Sequence, residues 1–94
     1  MDFEWDDDKN EANIEKHHVS FEMAKRAWLD PWRTVAEDRK HSSGKEKRYL
    51  LLGRVAGRVM TVSFTMRGGN VRIIGAGYFR KGAEKYEQKN RFRE

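Results

Sequence analysis

The chain has 94 residues, of which 37% are apolar and another 37% charged, so we expect one small domain with a modest core. It contains no cysteine, which excludes disulfides, thiolate metal ligands and a thiol nucleophile. No apolar run is long enough for a membrane helix, and the first eight residues are acidic rather than apolar. We therefore expect neither a membrane span nor a secretory signal, and a cytoplasmic protein.

Charge is divided unevenly along the chain. Residues 1–23 hold eight acidic and two basic side chains, a net charge of −6, whereas residues 24–94 hold 18 basic and seven acidic ones, a net charge of +11. A basic body of this kind is typical of proteins that bind polyanions. We therefore expect nucleic acid or the ribosome as a partner, with the acidic start able to shield part of the basic body.

Hydrophobic periodicity, capping residues and turn residues divide the chain into eight elements. In chain order, a strand, two helices, four strands and a closing helix are predicted over residues 2–6, 9–17, 21–29, 33–37, 48–55, 59–66, 71–79 and 80–88. Residues 89–94 are expected to form a frayed tail of one domain that spans residues 1–94. Helices followed by a run of strands favour an α+β fold, with an antiparallel sheet and the helices on one of its faces.

Caps and breakers account for several of these boundaries. Asp6 or Asp7 can cap the first helix, and Ser20 can cap the second. Pro31 ends the second helix, because the residue before a proline avoids the helical region. The polar segment 33–37 is predicted to be an edge strand.

The last strand carries two features of interest. Arg72 lies between Val71 and Ile73, and the strand period places its side chain on the face opposite those two. Residues 75–77 read Gly-Ala-Gly but are followed by Tyr78 rather than a further glycine. Because this segment lies within a strand, a bulge or close packing is favoured over a nucleotide-binding loop.

The histidines do not suggest a metal site. His17 and His18 are adjacent on a helix and point about 100° apart, so they are poor joint ligands. His41 lies in a polar loop and has the side chain best suited to general acid or base catalysis. We therefore expect no metal and no other cofactor.

The charged side chains of the basic body suit RNA cleavage without a metal. Attack by a 2′-hydroxyl needs a base on that hydroxyl, an acid at the leaving 5′-oxygen and cations on the phosphorane. The candidates for these catalytic roles are Arg72, Arg54, His41, Glu37 and Arg80. The candidates for further RNA contacts are Arg39, Lys40, Arg48, Lys81 and Tyr78. The residues by themselves leave open that these charges only face solvent.

A series of short motifs resembles the family of BrnT-type toxins. The opening signature of that family is matched by Trp5-Asp6, Lys9, Asn13, Lys16-His17-His18-Val19-Ser20-Phe21-Glu22 and Ala24. Later matches are Asp30-Pro31, Glu37-Asp38-Arg39, His41-Ser42, Glu46, Arg48, Gly53-Arg54, Val62 and Arg72-Ile73-Ile74. The resemblance covers residues 3–88. Lys16 and His17 are motif residues to which it assigns no certain role.

The resemblance implies a ribonuclease toxin of a type II toxin–antitoxin pair, with a fold similar to that of the RelE and ParE toxins. It implies metal-independent endoribonuclease activity that inhibits translation and growth. The implied partner is a BrnA-like antitoxin, in a heterotetramer that contacts operator DNA only through the antitoxin. No membrane association is implied.

This sequence departs from the family pattern at two positions. His18 stands where the family has glycine, and Gly77 stands where it has an arginine suited to phosphate contact. Arg80 and Lys81 are the candidates to replace that arginine. Two alternatives to the nuclease stay open: a basic module that binds RNA without cleaving it, and a toxin of the same fold that acts on a protein such as gyrase.

Overall fold

The structure is a computed structural model that describes residues 2–92. Its elements are β1 (Phe3–Glu4), α1 (Asp7–His17), α2 (Phe21–Ala24), a 3-10 helix (Lys25–Leu29), β2 (Thr34–Glu37), β3 (Arg48–Val55), β4 (Arg58–Arg67), β5 (Asn70–Gly77) and α3 (Arg80–Asn90). The predicted α+β class and the order β-α-α-β-β-β-β-α are confirmed. No helix within the described residues is long and apolar enough to cross a membrane.

The five strands form one sheet in the order β1-β5-β4-β3-β2. Strands β2 to β5 are antiparallel to their neighbours, but β1 pairs with β5 in parallel. The predicted antiparallel sheet is confirmed for β2 to β5, and β1 adds a parallel strand at one edge. This strand does not join its sequence neighbour, because α1 and α2 carry the chain from one edge of the sheet to the other. The prediction that residues 33–37 form an edge strand is confirmed by β2.

Helices cover both faces of the sheet, so the prediction that they share one face is wrong. Leu51 packs in the core with Phe21 of α2, whereas Leu52 packs in a separate cluster with Tyr86 of α3. Because successive residues of a strand point to opposite faces, the apolar run in β3 needs cover on both sides. Gly82 allows α3 to approach closely, since a Cβ atom there would collide with Thr61.

Helix α1 is fixed at its N-terminal end and in its second half. The carboxylate of Asp6 accepts hydrogen bonds from the N–H groups of Asp8 and Lys9 at 2.8 and 3.2 Å, which confirms Asp6 as the cap. The buried side chain of Asn13 donates to the carbonyl of Ala76 at 2.9 Å and accepts from its N–H at 3.2 Å. Strand β1 pairs only with Val71 and Arg72 of β5. Further along β5, the side chain of Asn13 makes the two backbone hydrogen bonds that a neighbouring strand would otherwise make.

The second predicted helix is α-helical for one turn only. Ser20 caps it, as predicted, by accepting from the N–H of Met23 at 3.0 Å. The continuous α-helix predicted over residues 21–29 is wrong from Lys25 onward, where the chain tightens into a 3-10 helix. This segment presses on the sheet, since a Cβ atom on Gly53 would lie 2.5 Å from the carbonyl oxygen of Ala27.

The closing helix α3 is longer than predicted. It continues to Asn90, whose side chain donates to the carbonyls of Trp32 and Tyr86 at 3.2 and 2.9 Å. The prediction of a frayed tail is therefore wrong for residues 89–90, because these hydrogen bonds hold the end of the helix. Residues 93–94 of the predicted tail lie outside the described residues.

Candidate functional site

A row of polar side chains crosses one face of the sheet. Arg48 pairs with Thr65, Thr65 with Arg72, and Arg72 with Glu4, while the N–H of Asp38 donates to the carbonyl of Arg48 at 2.7 Å. We call these five residues the arginine row. Neighbouring strands are about 4.8 Å apart, so the Cα atoms of Arg48 and Arg72 are about 10 Å apart, a gap that two arginine side chains can close on one phosphate.

Arg72 is held in the row by Glu4. One guanidinium N–H donates to the Glu4 carboxylate at 2.8 Å, and the Asn70 amide donates to the other carboxylate oxygen at 3.2 Å. The hydrogen bond from Arg72, followed by that from Asn70, lowers the pKa of Glu4. As predicted, Arg72 lies on the face opposite Val71 and Ile73. Its remaining N–H groups are left for other acceptors.

His41 lies at the opposite end of the row. Its Nδ1 atom is 2.8 Å from a carboxylate oxygen of Asp38; the Asp38 side chain is 15% exposed and that of His41 59%. A carboxylate accepts a hydrogen bond, so Nδ1 carries the proton and Nε2 is free to accept one. The Ser42 hydroxyl donates to the Asp38 carbonyl and accepts from the N–H of Arg48, both at 2.8 Å, which places the loop beside the row.

Two further charged groups flank the row. Glu46 lies 3.8 Å from Arg48 and 3.9 Å from Arg67, at the long end of ion pairing. Neither Glu4 nor Arg67 is among the site residues that the sequence predicts. The alternation of Glu4 with Phe3 and Trp5 could have shown which way Glu4 faces, but nothing in the sequence shows that β1 pairs with β5.

Three other predicted residues lie at the far end of the sheet. Arg54 is six residues from Arg48 along β3, which is about 20 Å. Arg54, Arg58, Tyr78 and Arg80 line one surface pocket, and we call these four residues the Arg54 cluster. Arg54 donates to Glu87 at 2.6 Å and lies over the ring of Tyr86, while Arg58 lies over the ring of Tyr78. The structure thus does not bring the predicted catalytic Arg54 and Arg80 together with Arg72.

Asp30 ties the Arg54 cluster into the fold. Its buried carboxylate accepts from the hydroxyl of Tyr86 at 2.6 Å and from the N–H groups of Arg54 and Trp32 at 2.8 and 2.9 Å. Burial opposes ionisation, but the three hydrogen bonds outweigh it and lower the pKa of Asp30. Burial and the bond to Asp30 raise the pKa of Tyr86 to about 12. Beneath the exposed arginines, the Asp30 carboxylate and its three donors therefore satisfy one another and hold this end of the sheet together.

The family model of BrnT, the ribonuclease toxin of type II toxin–antitoxin systems, matches residues 5–82. The chain belongs to the BrnT ribonuclease toxin family. No curated protein matches the sequence. As a member of a toxin family of type II systems, the protein has a cognate antitoxin as its expected partner.

The structure shows the surroundings of the two departures from the BrnT pattern. His18, where the family has glycine, ends α1 with a left-handed φ of 58°, a conformation that glycine adopts without strain. Gly77 stands where the family has arginine, and a Cβ atom there would lie 2.7 Å from the ring of Phe79. In this BrnT protein the ring of Phe79 occupies the position where the first side-chain atoms of that arginine would lie.

The remaining predicted residues lie outside the arginine row. Glu37 pairs with Tyr49, whose ring stacks on Phe64 on the other face of the sheet. Four of these predicted residues are exposed basic side chains. They are Arg39 and Lys40 in the loop before His41, Lys81 on α3 and Lys16 on α1. The ring of His17 packs edge-on against Phe79. Within residues 2–92, no group of three or more His, Asp and Glu side chains could hold a metal ion.

Proposed function

We propose that this BrnT protein is an endoribonuclease that cleaves RNA at the arginine row without a metal ion. The observation that carries the proposal is that Arg48 and Arg72 share one face of the sheet, while the loop that carries His41, oriented by Asp38, is hydrogen-bonded to Arg48. Two guanidinium groups can bind the scissile phosphate from both sides and neutralise the charge that develops on its oxygens. The neighbouring imidazole supplies a proton acceptor.

The chemistry follows from these roles. Nε2 of His41 takes the proton of the 2′-hydroxyl, the 2′-oxygen forms a bond to phosphorus, and the bond from phosphorus to the 5′-oxygen breaks. The leaving 5′-oxygen takes a proton from water. The products are a 2′,3′-cyclic phosphate and a 5′-hydroxyl, and Arg48 and Arg72 hold the phosphorane between these states.

Residues outside the row receive supporting roles in this proposal. Because Glu37 pairs with a residue of the opposite face, we assign proton transfer to His41 rather than to Glu37. Exposed basic groups raise the local concentration of RNA by long-range attraction: Arg39, Lys40 and Lys81. The Arg54 cluster contacts phosphates distant from the scissile one.

The experiment uses purified protein, a labelled RNA and EDTA. We expect cleavage to persist in EDTA and to leave 2′,3′-cyclic phosphate ends, and we expect His41→Ala to slow it by about 100-fold. Cleavage that requires added Mg²⁺ would contradict the metal-independent mechanism. Intact RNA at an excess of protein would contradict the nuclease itself.

The same experiment decides the second candidate function, RNA binding without cleavage. It is favoured by the ring of Phe79, which lies where the family arginine would leave the strand at Gly77. RNA that binds with a strong dependence on salt and stays intact would support this alternative.

We further propose that a BrnA-like antitoxin neutralises the toxin in a heterotetramer and alone contacts operator DNA. The excess of 18 basic over seven acidic side chains in residues 24–94 favours an acidic partner surface. Co-expression with the product of the reading frame next to the toxin gene tests this. We expect a stable complex of two copies of each chain by light scattering, without RNA cleavage. A chain that stays free and active would contradict it.

A further inference from the structure

An apolar groove with a volume of ≈ 260 Å³ lies between α3 and the sheet, on the same face as the arginine row. Ala36 of β2 and Leu50 and Leu52 of β3 form its floor. Leu50 and Arg48 point to the same face and are two residues apart along β3, which is about 6.6 Å. The groove therefore adjoins the row directly.

One wall of the groove is positively charged. Lys81, Lys85 and Lys89 line it from α3, and their spacing of four residues places them along one side of the helix. None of the three forms an ion pair with an acidic side chain in residues 2–92, and the lining contains no carboxylate. We call this feature the lysine groove.

We propose that the lysine groove binds a segment of the antitoxin that presents apolar side chains toward the floor and carboxylates toward the three lysines. This inference rests on the proposed function. The three lysines favour a segment with carboxylates on the side that faces them, because opposite charges are complementary. The apolar floor favours apolar side chains on the other side of the segment, because burial there removes them from water. RNA would satisfy the lysines but would find few polar partners on the floor.

The edge of the sheet adds a second contact for such a segment. Strand β2 is the last strand of the sheet, and Thr34 and Ala36 face the groove from it. An edge strand offers unpaired backbone groups to which an extended segment can add. A segment bound in the groove would also lie next to Arg48, which is two residues from Leu50 along β3. Neutralisation then follows from occlusion of the arginine row.

The experiment measures the affinity of the toxin for the purified product of the reading frame adjacent to its gene. Ala36→Asp places a carboxylate on the groove floor, and Val35→Asp is its matched control. Val35 is 50% exposed and precedes Ala36 in β2, so it points to the opposite face. Lys85→Glu removes the middle lysine, and Arg91→Glu at the end of α3 is its control. We expect the two groove variants to bind the antitoxin 10- to 100-fold more weakly, with both controls within threefold of the unaltered toxin.

The outcomes separate the inference from the proposed function. Equal antitoxin affinity of all four variants would overturn the lysine groove as the docking site while leaving the partner in place. Groove variants that lose RNA affinity but keep antitoxin affinity would show a groove for RNA and would also overturn it. Failure of the unaltered toxin to bind would overturn both proposals. Circular dichroism of each variant confirms that a loss of binding does not come from unfolding.

Discussion

The two ends of the sheet present the same residue types with different consequences. At each end an arginine donates to a glutamate, Arg72 to Glu4 at 2.8 Å and Arg54 to Glu87 at 2.6 Å. Around Arg54, the groups of Asp30 and Tyr86 are fully engaged with one another. In the arginine row, Nε2 of His41 and the remaining guanidinium N–H groups have no such partners within the row. Guanidinium N–H groups are left over at both ends, so the imidazole of His41, oriented by Asp38, is what makes the arginine row the better candidate for chemistry.

The largest expected effect distinguishes the two arginines directly. Arg72→Ala should lower kcat/KM for RNA about 100-fold, as loss of a preorganised donor to a transition-state anion does, and should relieve growth inhibition. Arg54→Ala should change cleavage only severalfold, through weaker attraction of RNA. Its main effect should be on stability, about 0.5–1 kcal/mol from the lost ring contact and ion pair. Single-turnover cleavage and urea unfolding of both variants provide the measurement.

The opposite ranking would break the comparison between the two ends. A folded Arg72→Ala protein that stays fully toxic would remove Arg72 from the site. An Arg54→Ala protein that loses cleavage at saturating RNA would move the chemistry to the Arg54 cluster. Arg72→Lys sharpens the result, because it keeps the charge but loses the planar fork and should recover only part of the activity.

The next effect concerns stability at the Arg54 end. Asp30→Ala leaves the Tyr86 hydroxyl and two backbone N–H groups without their acceptor, and it should lower the free energy of unfolding by about 2–4 kcal/mol. Tyr86→Phe removes one of the three hydrogen bonds and should cost only about 1 kcal/mol. Urea unfolding at pH 7 measures both. Equal losses in the two variants would contradict the central place of the Asp30 carboxylate.

The pH dependence of unfolding checks the same group. The folded pKa of Asp30 lies below its ordinary value of 3.8, so its contribution to stability is present above that value and is lost as pH falls through the folded pKa. The pKa of Tyr86 is raised to about 12, so its contribution is present below pH 10 and is lost as pH rises through 12. Asp30→Ala should flatten the acid side of the profile, and Tyr86→Phe the alkaline side.

A smaller effect is expected from the group that orients His41. Asp38→Asn keeps the shape of the side chain, but its amide can donate to Nδ1 and so favours the wrong tautomer of the imidazole. We expect cleavage to fall about 10-fold. Glu37→Gln makes the same change of charge at the preceding residue and should leave the rate nearly unaltered. A larger loss in Glu37→Gln would shift proton transfer from His41 to Glu37, as the sequence alone had left open.

Local signals predicted what depends on neighbours in the sequence. Asp6 and Ser20 cap their helices, and the strand period places Arg72 opposite Val71 and Ile73. The pairing of Glu4 with Arg72 could not be predicted, because it depends on β1 joining β5 in parallel across 68 residues. The position of α3 was missed for a related reason. The apolar run in β3 shows that both faces need cover, but not which helix supplies it.

The smallest expected effect lies where α1 ends, away from both ends of the sheet. His18 has a φ of 58°, which costs a residue with a side chain about 1 kcal/mol relative to glycine. His18→Gly restores the residue of the family pattern and should raise the free energy of unfolding by about 0.5–1 kcal/mol with unchanged RNA cleavage. His17→Gly is the matched control. It lies within the helix and packs on Phe79, so glycine there should destabilise by about 1 kcal/mol. A stability gain in both variants would show a general effect of glycine rather than relief of the left-handed conformation.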